Sequence, residues 1–371
     1  MNILVTGGAG FIGRHLVREL AREGHAVCVL DALVAQVHGP DAPDPELPAG
    51  VTFMRADVGD VDAWRAALEG AEAVIHLAAE VGVGQSMYEI NRYMNANTMG
   101  TSRLLQVLAE RRHPLRRLVV ASSMSLYGEG AYRCPNCGPV APPPRSRTQM
   151  AAHRWELVCA RCGAELAPAP TLETKPVTPT SVYAISKRDQ EELCLVVGRA
   201  YGIPTVALRF FNVFGPGQAL SNPYTGVAAI FSSRLLNGKP PLVFEDGGQR
   251  RDFVHVSDVV TAITQSLTED AAVGHAINIG SGCPRTVLDI ARTLATALDL
   301  DMAPQMAGQG REGDIRHCYA DITLARSLLS YEPRARFETC MLELAQWVQA
   351  QTAEDNVEGA RAELERRGLA Q

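Results

Sequence analysis

The sequence has no excess of basic residues and no long apolar run. Its 371 residues carry 35 lysines and arginines against 41 aspartates and glutamates, a formal net charge of −6. Composition therefore gives no sign of the basic surface that binds nucleic acid. No stretch reaches the roughly 18 consecutive apolar residues of a membrane-spanning helix. We expect neither a nucleic-acid partner nor a membrane partner.

The sequence also begins without a basic and apolar leader. Its first residues, MNILVTGG, pass directly into a predicted strand, whereas a secretory signal starts with basic residues and an apolar segment. We therefore expect a cytoplasmic protein. Hydrophobic residues make up 46% of the chain and charged residues 20%, which is typical of a globular protein with a sizeable core.

Strand and helix patterns alternate along the first third of the chain. Apolar runs of strand length occur at NILVT, AVCVLD, VTFMRADV, AEAVIHLAA and RRLVVASS, and most are followed by segments with helical spacing. Alternating strands and helices with short connections form parallel sheets that are covered on both faces. The pattern predicts an α/β fold with a doubly wound parallel sheet.

A glycine-rich turn, TGGAGFIG, joins the first predicted strand to the first predicted helix. Glycines permit a tight turn and let the backbone approach a pyrophosphate, whose charge meets free N–H groups at the helix start. An aspartate ends the second strand, where it can accept hydrogen bonds from an adenosine ribose and repel a 2′-phosphate. The pattern therefore predicts NAD rather than NADP. The predicted contacts are Gly7, Gly10, Phe11, Ile12, Gly13 and Asp31.

A tyrosine and a lysine lie four residues apart in YAISK, at the start of a predicted helix. Tyr183 and Lys187 should therefore project from one face of that helix. A lysine ammonium favours the ionised form of a nearby phenol and lowers its pKa, so that the tyrosine can accept a proton near neutral pH. The pair predicts an acid–base site.

The order of motifs resembles the short-chain dehydrogenase/reductase superfamily, in its extended branch of nucleotide-sugar epimerases and dehydratases. The resemblance implies an NAD-binding Rossmann domain over 1–130 and 180–212. It also implies a smaller substrate-binding lobe, mainly over 213–371, with some segments returning to the Rossmann domain. The motifs are TGGAGFIG, HLAA, NANTMGT, SSMSLYG, YAISK, RFFNVFGPGQ, RDFVHVSDV and REGD.

The resemblance also implies roles for individual residues. Ser123 would hydrogen-bond the reacting hydroxyl of a nucleotide-diphosphate sugar, Tyr183 would act as the base, and Lys187 would activate it. Tyr183 and Lys187 would also contact NAD. The further residues implied for the cofactor are Asp57, Val58, Leu77, Ala78, Ala79 and Asn97, and those implied for the substrate are Ser86, Asn212, Arg251 and Arg311.

The two residues after Ser123 bear on the reaction. Related 4,6-dehydratases place an aspartate and a glutamate there, but this sequence has Met124 and Ser125, which cannot supply that acid and base. The resemblance then implies a 4-epimerase that oxidises C4 transiently to a 4-keto sugar, with NAD tightly bound. Decarboxylation, dehydration and 4-keto reduction are the alternatives within the family. An NAD-binding regulatory protein that grips a partner through its insert is the non-enzyme alternative.

Two cysteine pairs, CPNCG and CARCG, lie in a segment over 131–179 that is rich in proline and arginine. Two CxxC pairs at this spacing predict a closed four-thiolate zinc site, which is structural because no coordination position stays open. We expect a zinc-ribbon-like insert, folded by its metal, at the rim of the active site. The predicted ligands are Cys134, Cys137, Cys159 and Cys162.

The insert could enclose or select the sugar, or it could be a solvated lobe. Together with the preceding YGEGAYRC, its cysteine pairs are similar to those of the dTDP-L-rhamnose 4-epimerase subgroup, which implies that substrate; UDP-linked hexoses stay open. The family resemblance further implies a homodimer built from the helices that bear Asn97 and Tyr183. The charged segment over 352–368 predicts a solvated helix. Insert residues that could contact the sugar are Arg145, Arg147, His153, Arg154 and Trp155.

Overall fold

The computed structural model describes residues 1–111, 115–311 and 313–369, so Glu312 of the REGD motif lies outside the described residues. The strands are β1 Asn2–Thr6, β2 Ala26–Asp31, β3 Val51–Arg55, β4 Ala73–His76, β5 Arg117–Ser123, β6 Ala131–Cys134, β7 Gly138–Val140, β8 Ala167–Ala169, β9 Thr205–Phe210, β10 Asn212–Phe214, β11 Leu242–Val243, β12 Arg250–His255, β13 Ala276–Ile279, β14 Pro284–Thr286, β15 Gln305–Met306 and β16 His317–Cys318.

The α-helices alternate with these strands in the first half of the chain. A π-helix spans Met94–Met99, and 3₁₀ turns span Met124–Tyr127 and Asp270–Ala272. The α-helices are α1 Phe11–Arg22, α2 Ala35–His38, α3 Val61–Ala67, α4 Val83–Ser86, α5 Ile90–Tyr93, α6 Gly100–Arg111, α7 Arg147–Ala151, α8 Val182–Tyr201, α9 Val227–Leu236, α10 Val256–Ser266, α11 Val287–Ala297, α12 Thr323–Leu329, α13 Phe337–Gln349 and α14 Val357–Arg366.

One seven-stranded sheet organises the fold. Its order is β13, β9, β5, β4, β1, β2, β3, and every neighbouring pair is parallel. The strand order reverses between β1 and β4, and ligands bind at such a point, beyond the carboxyl ends of the strands. The glycine-rich turn follows β1 at this point. The predicted doubly wound parallel sheet is therefore confirmed.

Helices cover both faces of the sheet. Apolar side chains of α1, α10 and α12 pack on one face, and those of α3, α6 and α8 pack on the other. Strands β4, β5 and β9 are buried at every residue, which explains their continuous apolar runs. Within the described residues, no helix has the length and apolarity to cross a bilayer.

The C-terminal half of the chain contributes to both lobes. Strand β13 is an edge of the parallel sheet, and α10 and α12 pack on that sheet. These segments therefore belong to the parallel sheet and the helices that cover it. The second lobe has its own core, in which α9, α11 and α13 pack together through side chains such as Phe231, Leu294 and Leu344.

The insert forms a small unit of its own. Strands β7, β6 and β8 make a three-stranded antiparallel sheet. Its buried cluster is small and consists of Tyr132, Cys134, Leu157, Cys159 and Leu166. A core of this size cannot by itself supply much folding free energy. The insert therefore needs further support, either from the other lobes or from a bound ion.

Candidate active site

A cavity of about 640 Å³ lies between the carboxyl ends of the central strands and the second lobe. The glycine-rich turn, the ends of β2, β4 and β5, and the start of α8 form one side. Most residues predicted from the sequence meet here. Those that line the cavity are Gly7, Gly10, Phe11, Ile12, Gly13, Asp31, Asp57, Val58, Leu77, Ala78, Ala79, Ser123, Tyr183, Lys187, Asn212, Arg251 and Arg311.

The glycine-rich turn has no room for side chains at two positions. Gly7 has a φ of +68°, and a Cβ added there would lie 2.9 Å from the backbone nitrogen of Ala78. A Cβ added at Gly13 would lie 2.2 Å from the carbonyl oxygen of Gly7. No side chain caps the start of α1 at Gly10. Its first N–H groups are therefore free to bind a pyrophosphate, which fits a dinucleotide.

Two backbone N–H groups fix the Asp31 carboxylate at the end of β2. Its Oδ2 accepts from the nitrogen of Ala9 at 3.0 Å, and its Oδ1 accepts from the nitrogen of Leu33 at 2.9 Å. Each carboxylate oxygen can accept a second hydrogen bond. The side chain therefore still fits the ribose hydroxyls of NAD, and its fixed negative charge disfavours a 2′-phosphate.

Ser123, Tyr183 and Lys187 form the reactive side of the cavity. Ser123 ends β5, and the other two lie one turn apart at the start of α8, which Ser181 caps through a 3.1 Å bond from the nitrogen of Ala184. The Lys187 Nζ donates to Gln190 Oε1 at 2.6 Å. Sequence reasoning missed Gln190, although its i, i+3 spacing from Lys187 indicated the contact.

Burial controls the protonation of this group. It raises the pKa of Tyr183, and a hydrogen bond with the Ser123 hydroxyl offsets part of that rise. Burial also lowers the pKa of Lys187 to about 7, although Cys194 and Glu191 act in the opposite direction. From the YxxxK spacing, Lys187 is expected to lower the pKa of the phenol. In this structure burial is the largest influence on the phenol and raises its pKa, and the influence that lowers it is the hydrogen bond with Ser123.

Asn97, which the resemblance implies as a cofactor contact, does not line the cavity. It is fully buried in the π-helix. Its Oδ1 accepts from the nitrogen of Glu80 at 2.7 Å, and its Nδ2 donates to the carbonyl of Glu80 and to Ser186 Oγ. The amide therefore holds the loop of Glu80 against α8. Glu80 itself lines the cavity.

Ser86, which the resemblance implies as a sugar contact, is not among the residues that line the cavity. Its Oγ donates to the carbonyl of Val83 at 2.7 Å and accepts from the backbone nitrogen of Tyr183 at 3.0 Å. The side chain is fully buried. Ser86 therefore positions the start of α8, and its neighbours Val83 and Met87 line the cavity instead.

The second lobe contributes polar groups to the opposite side. Arg251 donates to the backbone carbonyls of Arg250, Ile315 and Arg316. These bonds hold its guanidinium in one orientation. The Asn212 Oδ1 is buried without a hydrogen-bond partner among the described residues, so it can accept a hydrogen bond from a bound ligand.

Arg311 is held between an acid and a ring. Its Nε donates to Asp314 Oδ2 at 2.8 Å, and its guanidinium lies 4.2 Å from the centre of the Phe244 ring. Stacked and paired in this way, the planar group is oriented before a ligand arrives. Such guanidinium groups bind phosphate oxygens through two parallel hydrogen bonds.

The C-terminal helix α14 also lines the cavity, which sequence reasoning missed. The helix is present and most of its residues are exposed or half-buried, as predicted, but Leu364 on its inner face is only 6% exposed. Its spacing from Val357, Ala360 and Arg361 is that of one helix face, and this was the available signal. The lining residues from this end of the chain are Val357, Ala360, Arg361, Leu364 and Leu369.

The four cysteines of the insert form one cluster. Their sulfur atoms all lie within 4.8 Å of one another, and Cys134 Sγ is 3.4 Å from Cys162 Sγ. Four thiolates about 2.3 Å from a tetrahedral zinc ion lie about 3.8 Å apart. The cluster could therefore hold such an ion with little rearrangement.

The insert contacts the back of the cavity wall rather than the cavity. In the described chain, none of the five insert residues that could contact the sugar lines the cavity. A Cβ on Gly310 would lie 3.2 Å from Met150 Sδ and 3.6 Å from the Trp155 ring. The Arg145 Nη2 lies 2.8 Å from Glu245 Oε1, and both side chains are buried. The insert thus packs on the loop that carries Arg311.

Known proteins are similar to this chain in sequence and in fold. Residues 3–154 and 158–280 match the NAD dependent epimerase/dehydratase family. The chain is 36% identical over 348 residues to the dTDP-L-rhamnose 4-epimerase of Burkholderia thailandensis, a match that covers 93% of this chain and 94% of that protein.

Two solved structures are similar over almost their whole length. The UDP-N-acetylglucosamine 4-epimerase of Methanobrevibacter ruminantium M1, in complex with UDP-N-acetylmuramic acid, gives a TM-score of 0.76 at 29% identity and covers 95% of this chain and 99% of that one. The UDP-glucuronic acid 4-epimerase of Bacillus cereus, in complex with UDP-glucuronic acid and NAD, gives a TM-score of 0.76 at 27% identity. This match covers 94% of this chain and 99% of that one. The chain belongs to the NAD dependent epimerase/dehydratase family, in the extended branch of the short-chain dehydrogenase/reductase superfamily.

Proposed function

We propose that the protein is an NAD-dependent nucleotide-sugar 4-epimerase. The observation that carries the proposal is that one cavity joins three features. The glycine-rich turn lies on one side, Ser123, Tyr183 and Lys187 lie beside it, and the arginines of the second lobe lie opposite. The relatives described above are named 4-epimerases, which supports the same reaction.

The cavity residues of the first lobe would hold NAD. The turn from Gly7 to Gly13 would bind the pyrophosphate, Asp31 the adenosine ribose, Asp57 and Val58 the adenine side, and Leu77 to Ala79 the nicotinamide side. When bound, NAD supplies the reversible oxidation of the sugar at C4. Because the reaction leaves no net change in the cofactor, NAD stays tightly bound between cycles.

The chain itself supplies the proton chemistry. The Tyr183 phenol exchanges a proton with the C4 hydroxyl, and Ser123 hydrogen-bonds that oxygen while it changes charge. Burial opposes a lone charge on Tyr183 or on Lys187, but a phenolate next to an ammonium is favoured over either charge alone. Met124 and Ser125 occupy the cavity wall after Ser123. Neither can act as the acid or base that dehydration requires, which favours epimerisation.

The cavity supports dTDP-L-rhamnose as substrate, with UDP-linked hexoses as the alternative. Ser86 ties its loop to Tyr183, so this loop lies next to the reacting sugar. Val83 and Met87 from the loop line the cavity. Their apolar side chains suit the methyl group of a 6-deoxy sugar better than the hydroxymethyl group of a hexose. The Burkholderia relative, named for this substrate, supports the same choice.

We also infer that the four cysteines hold a structural zinc ion, and that the insert braces the substrate-binding loop. Arg316 connects the two, because its Nε and Nη2 donate to Glu156 of the insert, while its Nη1 donates to Glu245 and Asp246 of the second lobe. The Arg316 side chain is 2% exposed. A buried guanidinium needs these partners, so insert and lobe depend on each other.

A homodimer is proposed from the helices that the family resemblance indicates. The π-helix and α8 pack together, and several of their large apolar side chains are exposed. Met99 is 44% exposed, Ile185 42% and Val196 54%. An apolar surface shared by two neighbouring helices suits a two-fold interface, in which a second copy presents the same helices.

The test is to incubate the purified protein with a panel of dTDP- and UDP-sugars, including dTDP-L-rhamnose, without added NAD. Products are separated by chromatography and assigned by proton NMR. A C4 epimer of equal mass is expected, and which sugar reacts identifies the substrate. A product lighter by water or by carbon dioxide would instead establish a dehydratase or a decarboxylase. Absence of turnover across the panel would contradict the enzyme proposal.

A further inference from the structure

The C-terminal helix α14 forms part of the cavity wall. It presents Ala360, Arg361 and Leu364 to the cavity, and Leu369 follows after the helix ends. These residues lie on the same cavity as Arg311 and Tyr183. A segment whose composition predicts a solvated tail thus forms part of a binding site.

Ion pairs of the buried side chains Arg234 and Asp355 anchor the start of α14 to the second lobe. The Asp355 side chain is 2% exposed and lies 2.8 Å from Lys239 Nζ and 3.5 Å from Arg234 Nη1. Glu358 adds a 2.8 Å contact to the same Arg234, whose side chain is 4% exposed. Breaking such a pair leaves an uncompensated buried charge. The anchor therefore resists displacement of the helix.

The end of α14 sits on the loop next to the catalytic tyrosine. A Cβ added at Gly84 would lie 3.4 Å from Leu364 Cδ1, and the Arg367 guanidinium lies 4.3 Å from the centre of the Tyr88 ring. This is the loop that Ser86 ties to Tyr183. Leu364 therefore reaches the cavity where the reacting sugar must sit.

Arg361 lies beside the loop that carries Arg311. Its Nη2 donates to Gln309 Oε1 at 2.8 Å, and its Nε donates to Glu365 Oε1 at 2.8 Å. Gln309 precedes Arg311 by two positions in the same loop. Arg361 thus adds a third guanidinium to the cavity that already contains Arg251 and Arg311.

We propose that α14 is a wall of the substrate compartment, in which Arg361 binds the pyrophosphate of the nucleotide sugar beside Arg311 and Leu364 packs on the sugar. The chemistry follows from the residue types. A guanidinium suits the oxygens of a pyrophosphate, and a leucine suits the apolar face or methyl group of a pyranose. The assignment rests on the proposed function for the identity of the ligand as a nucleoside-diphosphate sugar.

The first test compares Arg361→Gln with Arg366→Gln by titration calorimetry, using dTDP and UDP as probes. Arg366 is the matched control because it lies on the same helix, 69% exposed and paired with Glu363. The dissociation constant for the preferred nucleotide should rise about tenfold in Arg361→Gln and stay unchanged in Arg366→Gln. Unchanged constants for both nucleotides in Arg361→Gln would overturn the proposal. Thermal unfolding and NAD content check that the variants are folded.

The second test uses Leu364→Ala and the sugar substrate. The value of kcat/KM should fall about tenfold while the dissociation constant for dTDP stays at the wild-type value, because Leu364 contacts the sugar and not the nucleotide. An unchanged kcat/KM, or an equal loss of nucleotide affinity, would contradict the placement of Leu364.

Nucleotide binding can be measured without turnover of a sugar. A wild-type protein that converts no sugar would therefore refute the epimerase while the calorimetry still decides the role of Arg361.

Discussion

Tyr183 is the residue on which the proposed reaction depends. Replacing it with phenylalanine keeps the ring and its packing but removes the group that exchanges the proton. We expect Tyr183→Phe to lower kcat by about 10² to 10⁴-fold, the usual contribution of a general acid–base group, while NAD content and thermal stability stay unchanged. Product formation followed by NMR measures this.

The matched control is Tyr201→Phe, at an exposed position of the same helix, which should behave as the wild type. Activity retained in Tyr183→Phe would mean that another residue moves the proton.

His76 makes stability depend on pH. It is 1% exposed, its Nδ1 and Nε2 bond to Thr6 Oγ1 and Thr101 Oγ1, and burial lowers its pKa from 6.5 to about 3. Between these values the unfolded chain binds a proton that the folded protein does not, so stability falls as the pH falls. The loss is at most about 1.4 kcal/mol per pH unit. Urea unfolding of wild type and His76→Gln at pH 7, 6 and 5 should show a shallower dependence in the variant.

His153→Gln, at an exposed position, is the control and should keep the wild-type slope. Equal slopes in wild type and His76→Gln would show that the buried imidazole does not control acid sensitivity.

The sequence predicted residue identities in the site better than side-chain directions. Ser123, Tyr183 and Lys187 were found because motif spacing places them at a strand end and on one helix face. The family resemblance implied ligand contacts for Asn97 and Ser86, but in this structure each side chain bonds a backbone group of another segment. Spacing along the chain does not specify the direction of such a side chain, because this direction depends on hydrogen-bond partners that only folding brings together.

Among the elements, the insert should control substrate affinity from a distance. Trp155 packs near Gly310 and so supports the loop of Arg311 without touching the cavity. We expect Trp155→Ala to raise KM for the nucleotide sugar about tenfold, equivalent to about 1.4 kcal/mol, with kcat and NAD content unchanged. Steady-state kinetics measure the two constants separately.

Arg133→Ala, at an exposed position on β6, is the control and should leave KM unchanged. A fall in kcat with an unchanged KM in Trp155→Ala would place the insert in the chemistry instead of in binding.

The proposed zinc ion should hold the insert together. Cys159→Ser removes one of four thiolates, so we expect the bound zinc to fall from one equivalent towards none and the midpoint of thermal unfolding to decrease. Metal analysis by mass spectrometry and calorimetric melting test this.

Cys283→Ser changes an exposed cysteine outside the cluster and should alter neither quantity. Wild-type protein without stoichiometric zinc, or a Cys159→Ser variant with full zinc, would refute the site.

For helices and strands, the local sequence pattern predicted the elements but not the segments on which they pack. The cysteine spacing predicted a compact cluster, and the structure brings the four sulfurs together. The helical face that bears Leu364 was visible in the spacing of α14, but its partner Gly84 lies far away in the sequence. The charge of the segment therefore predicted a solvated helix, whereas tertiary contacts bury Leu364 on one face of it.

For the molecule as a whole, the exposed apolar surface of the π-helix and α8 predicts self-association. Val196→Arg places a charge in the proposed interface, and burying an unpaired charge is costly. We expect wild-type protein to elute with the mass of a dimer and the variant with that of a monomer, as measured by light scattering during size exclusion.

Leu342→Arg, on α13 and equally exposed, should stay dimeric. A wild-type monomer, or a dimeric Val196→Arg, would rule out this interface.

The arrangement of the sheet was predictable only in part. Alternating strands and helices indicated the parallel strands of the first half, because each crossover is local. Strand β13 was not identified, because it is four residues long and follows a stretch of the second lobe. Its position beside β9 is set by pairing between distant parts of the chain, which periodicity does not report.

The late position of β13 also matters during synthesis. A ribosome completes the glycine turn and all three catalytic residues long before it reaches Ala276, and until then β9 is an unpaired sheet edge and α12 is missing from one face. Such an edge invites pairing with other chains. We therefore expect a nascent or truncated chain ending before β13 to depend on chaperones. Recombination that exchanges only the C-terminal half of the chain would replace β13 without its partner strand β9. We therefore expect the two halves of the chain to be inherited together.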